Sequence, residues 1–338
     1  MVLQRHLWLA RLAVLICAGA WGSEPDDDLL TQQQALEQCL KQSVVHNTPD
    51  TTIAQLRDSC QALINNGEKS NLHSLDIGVL DTRLKVENIS RANRFILTPN
   101  NRNFILPANY IHHPNAEPFA QSTGNPVQLQ NTEVEFQISL KVLIAQDLLH
   151  DNGNLYLAYT NHSHWQAYNG DLSRPFRETN HEPELLFSAT SGWQLLGFRN
   201  VLNQVGLVHQ SNGQSGTLSR SWNRIRLRSV VERGNLALSF SPWYRIPEST
   251  DSDDNPDIED YLGRYELSAA YAYDNHIIDV TTRRLFSSRG SLEVGWSFPL
   301  RPTMRGYLKY FNGYGASLID YNVKIESLGL GVVFTDLF

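Results

Sequence analysis

The chain has 338 residues and a formal net charge of −7. An acidic balance gives no support to nucleic-acid binding, which draws on a basic face for the phosphates. The mean hydropathy of −0.34 is that of a soluble protein, and no segment beyond the N-terminal region offers the 20 or so consecutive apolar residues of a helical membrane span.

Residues 1–22 read as a secretory signal: Arg5 and Arg11 form a positive start, Leu12 to Ala20 a short apolar run, and Ala20-Trp21-Gly22 a small-x-small cleavage site. Cys17 raises the lipoprotein alternative, which bulky Ile16 opposes. Removal of the two arginines would take the charge from −7 to −9. The next stretch, within residues 23–93, is expected to be a periplasmic extension carrying a short α-helical hairpin. Leu36, Cys39 and Leu40 mark one apolar helical face; Ile53, Leu56, Cys60 and Leu63 mark another. Thr48-Pro49-Asp50 breaks between them, so an antiparallel hairpin brings Cys39 and Cys60 together. An oxidising compartment would favour a disulfide there.

From about Arg94 to Phe338 the pattern changes to strands. Val134, Phe136, Ile138, Leu140 and Val142 alternate with Glu133, Glu135, Gln137, Ser139 and Lys141. Ile225 and Leu227 alternate with Arg224, Arg226 and Arg228, and Leu292, Val294, Trp296 and Phe298 with Glu293, Gly295 and Ser297. Such alternation fits a soluble sandwich with one wet face, or an outer-membrane barrel with apolar residues toward lipid and polar ones in the lumen. The signal, the alternating segment from Leu328 to the terminal Phe338, and the aromatics Tyr265, Tyr271, Tyr273, Trp296, Tyr307 and Tyr310 as interface-girdle candidates favour the barrel. About twelve segments can be placed, starting near Asn103, Val134, Leu155, Glu184, Leu195, Arg220, Leu236, Arg264, Ile277, Leu292, Met304 and Ile325. The expected fold is therefore all-β: a twelve-stranded antiparallel transmembrane barrel. Asp251 to Asp257 is an acidic loop between strands.

If Leu202 to Ser211 is a strand, Val205, Leu207, His209 and Ser211 share one face. A base and a nucleophile then stand side by side at the end of an apolar stripe, which suggests an apolar substrate. Asn223 shares its parity with Ile225 and Leu227, so it faces the same way. On a neighbouring strand its carbonyl oxygen could hold the imidazole N–H. A neutral orienting group suits a surface where an ionised carboxylate would be costly.

Five motifs in order carry a resemblance: Pro175-Phe-Arg-Glu-Thr-Asn-His-Glu-Pro183, His209-Gln-Ser-Asn-Gly213, Ser219-Arg-Ser-Trp-Asn-Arg224, Asp253-Asp-Asn-Pro-Asp-Ile258 and Gly313-Tyr-Gly-Ala-Ser-Leu-Ile-Asp-Tyr-Asn322. Residues 94–338 thereby resemble bacterial outer-membrane phospholipase A. The resemblance implies a barrel with its active site on the outer wall at outer-leaflet height. It implies calcium-dependent hydrolysis of phospholipid acyl esters, of A1, A2 and lysophospholipase type, activated by homodimerisation. It places the nucleophile on Ser211, the base on His209, the orienting residue on Asn223 and an oxyanion donor on the Gly213 N–H. Calcium ligands carry over as the Ser219 hydroxyl, the Gln214 carbonyl and the Ser173 carbonyl of the partner subunit. The family commonly has Arg at Gln214, but a carbonyl ligand survives that change. This neutral oxygen set implies weak binding, roughly 0.1–1 mM. A second calcium position would use Asp254, but its other carboxylate falls on Gly216. A polar dimer contact, usually Gln, falls on Asn161, which shares a face with Leu155, Leu157, Tyr159 and Trp165. Two other readings stand beside this one: a passive pore or structural barrel, which unpaired luminal charges would favour, and a soluble periplasmic binding sandwich.

Overall fold

The computed structural model describes residues 80, 96–150, 152–301 and 304–335. The signal, the hairpin with Cys39 and Cys60, and Phe338 lie outside the described residues. Among the described residues fourteen strands occur in chain order: β1 (Thr98–Pro99), β2 (Asn103–Ile111), β3 (Thr132–Ala145), β4 (Asn154–Trp165), β5 (Phe176–Ala189), β6 (Gln194–Leu195), β7 (Phe198–Ser211), β8 (Ser221–Arg233), β9 (Leu236–Ile246), β10 (Tyr265–Tyr273), β11 (His276–Arg283), β12 (Ser291–Arg301), β13 (Met304–Gly313) and β14 (Ile325–Thr335). Among the described residues two short α-helices, α1 (Glu117–Thr123) and α2 (Ile258–Leu262), lie in loops. No described helix is long and apolar enough to cross a membrane.

Twelve of the strands close a ring. Each pairs antiparallel with the next, from β2 through β5 and from β7 to β14, with β5 on β7 and β14 back on β2. The two-residue strands β1 and β6 sit against β3 and β7. A closed ladder leaves no unpaired edge, which is what a strand structure in hydrocarbon requires. Eleven of the twelve expected starts fall within three residues of these strands; the fourth does not, since β5 begins at Phe176 rather than near Glu184. Its first turn-proximal residues carry Arg177, Glu178 and Asn180, all buried, opposite outward Thr179 and His181, so the apolar alternation is absent there.

Strand parity sorts the side chains as the alternation suggests. Ile138, Leu157, Leu207, Leu227, Leu292 and Leu330 are exposed on the outer wall, while Glu133, Glu135, Ser139 and Lys141 are buried inside. Tyr307 is a correction: it is fully buried in the lumen, not at an outer girdle. It shares its parity with Lys309 and packs under Arg102, whose guanidinium carbon is 4.6 Å from the ring centroid.

The luminal charges pair. Arg177 donates to both oxygens of Glu133 at 3.0 Å and to Asp320 at 2.8 Å. Arg224 meets Glu182 at 2.7 Å, Arg226 bridges Glu182 and Glu184, Arg102 meets Asp279 at 2.6 Å, and Lys309 meets Glu135. Cavities of about 290 and 250 Å³ remain between these pairs. Paired across the barrel, the charges form a plug and give no support to an open channel. Among the described residues, Glu135, His162 and His164 are close enough to share a metal, but Lys309 and Arg177 already neutralise the two carboxylates beside those imidazoles.

The connections differ at the two ends. At one, residues 146–153 and 190–197 and the tight turns 234–235 and 274–275 link strands. At the other run the longer loops 112–131, 166–175, 212–220, 247–264 and 314–324. The long-loop end is capped by Trp222, Trp243, Ile258, Leu262, Leu318 and Tyr321, so α2 and the last loop pack over the mouth. Tyr321 donates to Asp257 at 2.6 Å, and burial together with that carboxylate raises its pKa. Long loops at one end and short turns at the other are the usual build of outer-membrane barrels.

Candidate active site on the outer wall

β7 and β8 form a hairpin whose 212–220 loop lies at the long-loop end. His209 and Asn223 are direct register partners across it, and Ser211 is opposite Ser221. Below them on the same face stand Val205, Leu207, Ile225 and Leu227, all exposed. The polar pair thus sits at the upper end of an apolar band, and its geometry follows from period-two parity on two adjacent strands.

His209 Nδ1 and Asn223 Oδ1 are 2.9 Å apart. Asn223 Nδ2 in turn donates to Glu248 Oε1 at 3.0 Å. Ser211 is differently engaged. Its Oγ accepts the Gly213 N–H at 3.0 Å, and among the described residues no hydrogen bond joins it to His209. Gly213 has φ +65°, the left-handed conformation that glycine adopts without strain, and this turns its N–H back onto Ser211. The structure therefore brings the expected base and orienting residue into contact. It leaves the expected nucleophile and oxyanion donor bonded to each other. Catalytic contacts are often loose before substrate arrives, so this arrangement is compatible with a triad.

The 212–220 loop is held by a residue that has no role in the sequence reading. Asn212, 3% exposed, accepts the Arg220 N–H at 3.0 Å and the Gln214 N–H at 3.3 Å, and donates to the Leu218 carbonyl at 2.8 Å and Glu178 Oε2 at 3.3 Å. Asparagine's readiness to bond local backbone was the available signal. Ser219 Oγ donates to Asp254 Oδ2 at 2.6 Å, so the two calcium positions drawn from the sequence adjoin one another. The hydroxyl and carboxylate oxygens that meet here are of the kind that suits calcium. Ser173, at φ +58° in the 166–175 loop, has no hydrogen bond to Gln214 or Ser219 within the chain.

On the neighbouring β5, His181 is the register partner of both Ser211 and Asn161. His181 Nδ1 shares a 2.6 Å hydrogen bond with the Tyr159 hydroxyl, and the two rings stack. Asn161 lies on the outward parity of β4, with its Oδ1 accepting from Ser163 Oγ at 2.9 Å. Neither His181 nor Glu248 stands out in the sequence. Glu248 lies 25 residues beyond Asn223, in a loop whose path periodicity does not reveal.

The phospholipase A1 family model matches residues 80–334. The chain belongs to the phospholipase A1 family. It is 36% identical over 247 residues to phospholipase A1 of Klebsiella pneumoniae, covering 73% of this chain and 85% of that protein. A putative phospholipase A1 of Neisseria meningitidis is 36% identical over 244 residues, and this family member spans only 64% of its length. Among solved structures, the calcium-bound dimer of Salmonella typhi outer membrane phospholipase superposes with a TM-score of 0.68 at 35% identity, covering 73% of this chain and 94% of that one.

Proposed function

We propose that this chain is a calcium-dependent phospholipase of the bacterial outer membrane that hydrolyses acyl esters of phospholipids and works as a homodimer. The observation that carries this reading is the His209–Asn223 hydrogen bond at the top of an exposed apolar band. A hydrolytic pair facing away from the lumen can meet only a substrate that lies in the surrounding lipid. The long-loop end would then face outward at the outer leaflet, and the N-terminal extension would lie in the periplasm.

Rotation of the Ser211 side chain off the Gly213 N–H would bring its hydroxyl toward His209. His209 then removes the hydroxyl proton as Ser211 Oγ attacks the ester carbonyl. The freed Gly213 N–H donates to the oxygen that becomes negative, and the imidazolium returns the proton to the glycerol oxygen as the C–O bond breaks. Water, deprotonated by the same histidine, releases the fatty acid. When bound, calcium supplies positive charge beside the developing oxyanion. Ser219, the Gln214 carbonyl and the partner subunit's Ser173 carbonyl would hold it, with the Asp254 carboxylate adjoining Ser219. Asn161, the outward amide on β4, would meet its copy in the dimer. An amide surrounded by hydrocarbon is stabilised by such a partner.

The test is ester hydrolysis in mixed detergent–phospholipid micelles, with and without calcium, beside Ser211→Ala and His209→Ala. Each variant should lose turnover while keeping heat-modifiable gel mobility, and the double variant should be no worse than either single one. Calcium-dependent turnover by Ser211→Ala would remove Ser211 from the mechanism.

A further inference from the structure

We propose that Glu248 is a positioning residue that fixes which end of the Asn223 amide faces the histidine; the inference rests on the Ser211, His209 and Asn223 roles given above. A carboxamide presents an acceptor at one end and a donor at the other. Only its oxygen can hold the N–H of His209, and an asparagine alone has no preference for that orientation. The far end of the Asn223 amide meets Glu248 Oε1 at 3.0 Å. An ionised carboxylate accepts and cannot donate. The NH2 group must therefore point to Glu248, which leaves Oδ1 facing His209 Nδ1 at 2.9 Å.

The consequence passes through the ring. Because Oδ1 only accepts, Nδ1 must carry the hydrogen, and the neutral imidazole then keeps its lone pair on Nε2. That is the nitrogen a nucleophile on the same strand needs for proton removal. A flipped amide would set a donor against Nδ1–H and an oxygen against a carboxylate, losing both bonds together. One glutamate thus determines the amide orientation, the amide determines the tautomer, and the tautomer determines which nitrogen is basic.

Its placement explains how a carboxylate is tolerated. Glu248 follows Ile246, the last residue of β9 and the register partner of Asn223. It is half-buried at the start of the 247–264 loop, at the rim rather than on the apolar band. A carboxylate in direct contact with His209 would stand lower on the lipid-facing wall, where keeping it ionised is costly.

The experiment compares full-length Glu248→Ala and Glu248→Gln with wild type, with Ser211→Ala run in parallel. Three quantities are read: kcat and KM for phospholipid in mixed micelles at saturating calcium, the rate at which a fluorophosphonate labels the nucleophile, and heat-modifiable gel mobility. Losing a hydrogen bond to a charged group predicts a fall of roughly tenfold or more in kcat and in labelling rate for Glu248→Ala, with KM unchanged. Glu248→Gln, which can donate as well as accept, no longer forces one amide orientation and should recover only part of both. Wild-type kcat and labelling in folded Glu248→Ala would overturn the assignment, as would a change confined to KM or a Gln variant equal to wild type. If Ser211→Ala itself turns over, the underlying nucleophile reading has failed instead, and that result is distinct from an inert Ser211→Ala beside a fully active Glu248→Ala.

Discussion

Replacing Asn212 by alanine would test whether one buried side chain organises the whole 212–220 loop. Four hydrogen bonds end on it: two accepted from Arg220 and Gln214 N–H groups, two donated to Leu218 and Glu178. Gln214 is exposed and can turn to water. The bonds to Arg220 and Leu218 are partly buried and are each worth about 1 kcal/mol net, and the long one to Glu178 adds about 1 kcal/mol more. The ordered loop should thus lose about 3 kcal/mol relative to open conformations, a shift of roughly a hundredfold. The barrel ladder is untouched, because the Asn212 backbone bond to the Arg220 carbonyl remains. At the proposed site calcium would bind only the ordered loop, so excess calcium should draw it closed again. The expected result is a calcium midpoint for hydrolysis raised about tenfold or more, with kcat largely restored at saturation and normal heat-modifiable mobility. A folded Asn212→Ala protein whose calcium midpoint stays within about twofold of wild type would refute the reasoning.

Ser219→Ala removes one side-chain oxygen from the same site and should also raise the calcium midpoint, without altering turnover of the saturated enzyme; an unchanged midpoint would exclude Ser219 as a ligand. Asn161→Ala should lower the fraction of protein cross-linked as dimer at a fixed lipid ratio, with activity recovering at high density, and an unaltered cross-linked fraction would remove Asn161 from the contact. Arg177→Met strands Glu133 and Asp320 as buried, uncompensated charges. Breaking such a pair typically costs about 3–5 kcal/mol, so the urea midpoint for loss of the heat-modifiable form should fall clearly, and an equal midpoint would show that the plug bears no such strain.

How much of this was legible in the sequence follows from what produces each feature. The strand starts were readable because lipid-facing and lumen-facing residues must alternate for as long as a strand crosses the apolar zone. β5 escaped where it rises past that zone, since Thr179 and His181 need not be apolar there. Tyr307 was misplaced because an aromatic ring satisfies either environment; its parity with Lys309, and a guanidinium from Arg102 to cover it, decide for the lumen. His209 and Asn223 were legible as a pair because both lie on strands whose faces are fixed by neighbours. Asn212 and Glu248 act from loops, where no period ties position to direction, and their partners appear only once the chain is folded.

The bond between Gly213 and Ser211 couples two kinds of idleness. While it lasts, the hydroxyl proposed as nucleophile is turned from its proposed base and the N–H proposed to stabilise the oxyanion is occupied, so one torsional step would release both. A neutral hydrogen bond of this kind contributes about 1 kcal/mol, which holds the site back only about fivefold. A hydrolase embedded in the lipid it consumes needs far deeper dormancy than that. On the proposed reading the local latch sets the resting posture, and the larger share of restraint would fall to whatever completes the calcium shell from outside the chain, so that membrane integrity would be guarded by assembly rather than by the fold of any single copy.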